Sequence, residues 1–232
     1  MRSNSAYSKS LESEVAELRT EEEQVELIKN WWKENGNSLL ISIAVAVAAV
    51  FGWKTWVSNQ EAQAANASAL YENISSVVTA AQVDEAQLQS VFFLGDELKS
   101  DYASSVYTPM ASMLLARAAV EATELDKAKA ELEFVTTAEA ADAAMKQLAH
   151  LRLARLAMAM NDLAAAQTSL DAAGVDQYPG LYHELSGDLA VAQGDLAAAR
   201  DAYTKAVAQA DPQSRSLIQL KLDDIAQGEA SK

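Results

Sequence analysis

An all-α chain is what the sequence predicts: one N-terminal transmembrane helix, then a right-handed array of paired helices. Three observations carry this expectation. A charge-free apolar run fills residues 39–53, a helix-pair pattern recurs three times beyond residue 100, and the composition leaves little material for a sheet. Ala, Leu, Glu, Asp and Gln dominate, and the three prolines are Pro109, Pro179 and Pro212.

The same composition excludes several functions. The net charge of -15 is spread along the chain, whereas a nucleic-acid binder needs a clustered Lys/Arg face, so no nucleic acid is expected as a partner. There is no Cys, which removes disulfides, thiolate metal sites and a Cys nucleophile. Of the 232 residues, roughly 160 to 175 remain beyond the arm and the apolar run, enough for one ordinary domain with its own core.

Residues 1–37 read as an N-terminal arm. Its first nineteen residues are polar and weakly patterned. Thr20 followed by Glu23 has capping-box spacing and opens a short amphipathic helix expected to run to Asn35 and stop at Gly36. Its stripe of Val25, Ile28 and Trp32, with Leu27 and Trp31 beside it, suits the bilayer surface or a cytoplasmic partner.

Residues 38–57 form the expected transmembrane helix, LLISIAVAVAAVFGW and its flanks. Some nineteen residues at ~1.5 Å each give about 28 Å, close to the ~30 Å of a hydrocarbon core. All four tryptophans sit at its edges, Trp31 and Trp32 before it and Trp53 and Trp56 after it, as anchors in the two interfaces of the lipid bilayer. A helix buried in a soluble core rarely carries paired Trp at both ends. A cleaved signal peptide would begin earlier and after basic residues, whereas this run follows an acidic stretch. Arg19, Lys29 and Lys33 precede the span, and after Lys54 the next basic residue is Lys99, so the positive-inside rule puts the N-terminus in the cytoplasm. The C-terminal part is then periplasmic if the host is a Gram-negative bacterium, with the span in its inner membrane.

Residues 58–100 are expected to hold a stalk continuing to about Ala81 and one further helix from Val83 to Leu98. Residues 101–232 carry the repeats. TELDKAKAEL, NDLAAAQTSL and GDLAAARDAY align, with Leu125, Leu163 and Leu196 about 38 and 33 residues apart, and each follows a matching helix in SMLLARAAVEA, HLRLARLAMAM and HELSGDLAVAQ. This is the tetratricopeptide pattern of roughly 34 residues, two antiparallel helices per unit. Small residues recur where the helices must approach: Ala116, Ala154 and Gly187 on first helices, Ala128, Ala166 and Ala199 on second ones, with Leu132, Leu170 and Tyr203 four later. A terminal helix over Pro212–Ala226 should cap the stack through Leu217, Leu220 and Ile225.

No catalytic motif is present, neither a phosphate loop nor G-x-S-x-G nor H-E-x-x-H, and no cofactor or enzymatic activity is expected. His150 and His183 occupy like places in successive first helices, yet nothing at helical spacing completes a metal-ligand set. Stacked first helices line a concave surface, and repeat register projects onto it Met110, Met113 and Arg117, then Leu148, Leu151, Arg155 and Met158, then Leu181, Glu184 and Asp188. Met repacks around varied partners and Arg grips carboxylates or carbonyls, so this row is the expected partner-binding groove. Core packing is the competing reading for each Met and Leu.

EEEQVELIKNWWKENGNSLL, the exit FGWKTW and the following AQAANASALYENI resemble the YfgM family, ancillary subunits of the SecYEG translocon. LRLARLAMAM is similar to that family's central helix. The resemblance implies a non-enzymatic inner-membrane protein whose periplasmic tetratricopeptide domain associates with SecYEG and the chaperone PpiD, passing translocating polypeptides to periplasmic folding factors. It also implies a link to envelope-stress signalling through a cytoplasmic response regulator, a role that would fall on the arm.

Overall fold

The computed structural model describes residues 4–80 and 83–230, with side chains placed for 23–80 and 83–226. Two compact units divide the chain, residues 1–61 and 62–232. Among the described residues the chain forms nine helices and no strand, the all-α class that the sequence predicts.

The first helix, α1 (Asn4–Val78), carries the apolar run. Among the described residues it is the one helix long and apolar enough to cross a membrane, and only 6% of its most apolar window is buried. A core helix of a soluble protein would be covered by its neighbours; here Leu40, Ile41, Val45, Val50 and Phe51 face outward. The four tryptophans are likewise exposed, and Trp53 stacks near Trp56 with ring centroids 5.2 Å apart.

The expected short arm helix needs correction. Neither Thr20 nor Gly36 bounds a helix, because α1 begins upstream and runs through both. Gly36 does not take the left-handed conformation of a C-terminal cap; it stays helical, and the Trp32 indole lies 3.2 Å from where its Cβ would stand. A glycine followed at once by a long apolar run is no terminator, since continuing the helix satisfies every backbone group that a cap would serve. The stalk helix ends at Val78; Ala81, where it was expected to end, lies outside the described residues.

Within the second unit, the end of α1 packs Ala67, Ile74 and Val78 against α2 (Glu85–Asp101) and α3 (Tyr107–Glu121). Asp84 opens α2 with a full capping box: its carboxylate accepts from the Gln87 N–H at 2.7 Å, and the Gln87 side chain accepts from the Asp84 N–H. Three helix pairs follow: α3 with α4 (Leu125–Thr137), α5 (Ala143–Ala159) with α6 (Leu163–Ala173), and α7 (Pro179–Gln193) with α8 (Leu196–Gln209). These are the three predicted repeats. Every small residue expected at a helix crossing is buried, as are Leu132, Leu170 and Tyr203.

The turn inside each pair repeats as well. Thr123, Asn161 and Gly194 each adopt a positive φ, and the next N–H in each case bonds back to a carbonyl of the first helix, Ala119, Ala157 or Ala190. Asp162 and Asp195 then cap the second helices by accepting from Ala165 and Ala198; Glu124 in the first repeat makes no such bond. Between pairs, buried Gln147 on α5 donates to the Gly174 carbonyl and accepts from the Gln177 N–H, both at 2.8 Å, which ties the connection into α7. Buried Glu131 on α4 is met by Lys99 of α2 at 2.5 Å.

The last helix, α9 (Pro212–Ala230), covers α8 as a cap. Asp211 begins it, accepting from the Gln213 and Ser214 N–H groups and from the Ser214 hydroxyl, contacts that hold its carboxyl below the usual carboxylate range. Its inward stripe is buried Ile218 and Ile225 with partly buried Leu222. Of the residues expected there, only Ile225 is correct: Leu217 and Leu220 are 57% and 65% exposed.

Candidate interaction cleft

First helices of a helix-pair array face one another across repeats, so their side chains either fill the seam or stand on its rim. The predicted row divides along this line. Met113 and Leu151, 9% and 1% exposed, belong to the core between repeats and are not groove residues. Leu148 packs on the core of the first repeat, and Met158 and Leu181 on that of the second and third. Met110 is half-buried at the start of α3.

Arg117 and Arg155 do stand on the surface, on the rim of a cleft of about 490 Å³ between α3, α4 and α5. Its floor is apolar: Ala116 and Val120 from α3, Leu125 and Leu132 from α4, Leu156 and Ala159 from α5. Arg152 and Glu121 complete the lining. Sequence reasoning missed Arg152, although it lies three residues before Arg155 and therefore shares its helical face.

The three guanidinium groups are unequally satisfied. Arg117 pairs with Glu121 one turn on, Nε to Oε1 at 2.8 Å. Among the described residues Arg152 donates to the Met113 carbonyl, at 3.4 Å. Burial first, and then the nearby charges of Arg155 and Arg117, push the Arg152 guanidinium below its ordinary value.

At the far end of the row the third repeat is closed by its own C-terminal helix. Lys221 of α9 reaches Glu184 at 2.8 Å and both Asp188 oxygens at 2.7 and 2.9 Å, and the Tyr203 hydroxyl donates to Asp188 at 2.7 Å. Glu184 and Asp188, expected to face a partner, are thus engaged within the chain. Burial and the bond to Asp188 raise the Tyr203 hydroxyl above the ordinary phenol value. Burial works against the charge on Lys221, yet the two carboxylates outweigh it and raise the ammonium above its usual value.

His150 and His183 are both part-buried, and burial lowers both below the ordinary imidazole value; His183 packs edge-on to Tyr182. No group of side chains suited to a metal ion exists among the described residues.

Comparison with known proteins gives a consistent result. The profile of the tetratricopeptide repeat-like domain family matches residues 29–227. The chain is similar to proteins named ancillary SecYEG translocon subunit: 30% identical to that of Escherichia coli over 89% of this chain and 97% of that one. It is 28% identical to that of Haemophilus influenzae and 25% to that of Neisseria gonorrhoeae, each over 88% of this chain and 97% of the relative. No solved structure matches the chain.

Proposed function

The chain belongs to the tetratricopeptide repeat-like family of ancillary SecYEG translocon subunits, and from that premise we propose that it is a membrane-tethered protein-interaction module at the translocon. The observation that carries this reading is the match to the Escherichia coli protein over 89% of this chain and 97% of that one, long enough to take in the exposed apolar helix as well as repeats.

In this reading residues 38–57 cross the inner membrane, the arm is cytoplasmic and the repeats are periplasmic. The basic residues support that orientation, since Lys29 and Lys33 stand before the span and only Lys54 follows closely. Anchoring confines the repeat unit to the membrane surface, where effective concentration lets modest contacts suffice. The partners are SecYEG and the chaperone PpiD, with translocating polypeptides as clients. Binding is the activity in this reading, supported by the tetratricopeptide repeat-like fold and by a cleft with an apolar floor and a cationic rim.

Extraction of the tagged full chain in mild detergent should recover SecYEG, and PpiD with it, when the eluate is read by mass spectrometry. Recovery of neither, from membranes that contain both, would refute the assignment.

A further inference from the structure

Three of the chain's seven arginines gather on one cleft in a protein of net charge -15, and only one carboxylate, Glu121, lines it with them. Elsewhere on the second unit several cations pair with carboxylates, Lys99 with Glu131, Lys127 with Glu124, Lys205 with Asp201 and Lys221 with Glu184 and Asp188, while Arg215 reaches the Ala210 carbonyl; nowhere else among the described residues do three arginines share one cleft. Arg155 meets no carboxylate among the described residues, and Arg152 has a single long bond to a carbonyl.

Resting on the interaction-module reading above, we propose that this cleft is a binding site for an acidic, apolar peptide segment, one large apolar side chain entering between Val120 and Leu156 while an adjacent carboxylate is held by Arg152 and Arg155. The volume of about 490 Å³ falls within the ~300–1,000 Å³ range of sites that hold small ligands or a short stretch of peptide. The arrangement supplies both elements such a ligand requires. Covering the parts of the floor still open to solvent, Val120, which is 46% exposed, with Leu125 and Ala159, drives association, and a guanidinium fork fixes direction by bidentate contact with a carboxylate. A neutral peptide would offer these two neighbouring guanidiniums no opposite charge, so selection for acidic segments follows from the site's excess of cations over carboxylates. In Arg117 the site has a third cation, and its partner Glu121 can release it to a second ligand carboxylate because that pair is solvent-exposed and weak.

The test is fluorescence anisotropy with the full chain in lipid nanodiscs and three labelled decapeptides: alternating Leu and Glu, the same with Gln for Glu, and the same with Ser for Leu. The Leu/Glu peptide should bind, with affinity falling on raising salt; the Gln and Ser versions should each bind at least about tenfold more weakly. Arg155→Gln, an exposed substitution, should weaken the acidic peptide about tenfold and leave the Gln peptide unchanged. Equal binding of the acidic and Gln peptides to the unaltered chain would overturn the proposal, a result independent of how any variant folds. A fluorescent fatty acid that binds while the acidic peptide does not would overturn it too. Failure here with SecYEG still recovered in the extraction refutes only the cleft's ligand; peptide binding without SecYEG refutes only the translocon assignment.

Discussion

Thr123 stands where Asn161 and Gly194 stand in the next two repeats, in a backbone conformation that a β-branched residue adopts at a cost. Thr123→Gly should therefore stabilise the repeat unit by about 0.5–1 kcal/mol, raising Tm by roughly 2 °C. The opposite sign is expected at Gly187, where an added Cβ would stand 2.4 Å from the Tyr203 ring, a rigid group anchored by Asp188. Gly187→Ala should destabilise by about 1–3 kcal/mol in a urea titration. Such positions were legible in the sequence because packing allows only small residues there, so Ala116, Ala154 and Gly187 mark the register by type alone. Met113 and Leu151 were not. Both lie on the correct helix, but a first helix contacts its own partner and the next repeat, and repeat register does not say which apolar residues that double packing consumes.

Helix α9 shows the same limit on a larger element. Its existence and its start at Pro212 follow from sequence, whereas the stripe expected from sequence takes Leu217 and Leu220 where the fold covers Ile218 and Leu222, with Ile225 common to both. Apolar residues on both sides make either phase plausible, and the decision falls to Lys221, which must reach Glu184 and Asp188. Lys221→Met should destabilise by about 2 kcal/mol by leaving both carboxylates without their cation. The clamp also fixes an alkaline limit. Lys221 has a raised value in the fold, so its contribution is complete below its unfolded value of 10.5 and is lost as pH climbs through the folded one. Tyr203 is raised as well, so above 10.0 the unfolded phenol ionises before the folded one and stability falls further. Thermal melts between pH 8 and 11 should show this loss, and Tyr203→Phe should flatten part of it. On the acid side His150 and His183, lowered by burial, bind protons more readily when unfolded, so stability declines modestly as pH falls below 6.5.

At the scale of the whole molecule the account rests on one apolar helix separating an arm from an array of helix pairs. Composition and tryptophan placement made this organisation readable, because lipid imposes a length and a sequence texture that soluble packing does not. The cleft was only half readable: Arg117 and Arg155 stand on the predicted row and Arg152 shares the Arg155 face by spacing alone, but the closure of the third repeat by α9 depends on tertiary packing. The chain has no cysteine, so single cysteines introduced into it can be labelled without background. A membrane-impermeant maleimide applied to spheroplasts should label Asp126→Cys at once and Glu26→Cys only after the membrane is permeabilised. Labelling of both in intact spheroplasts, or of Glu26→Cys alone, would contradict a single crossing with the repeats outside the cytoplasm.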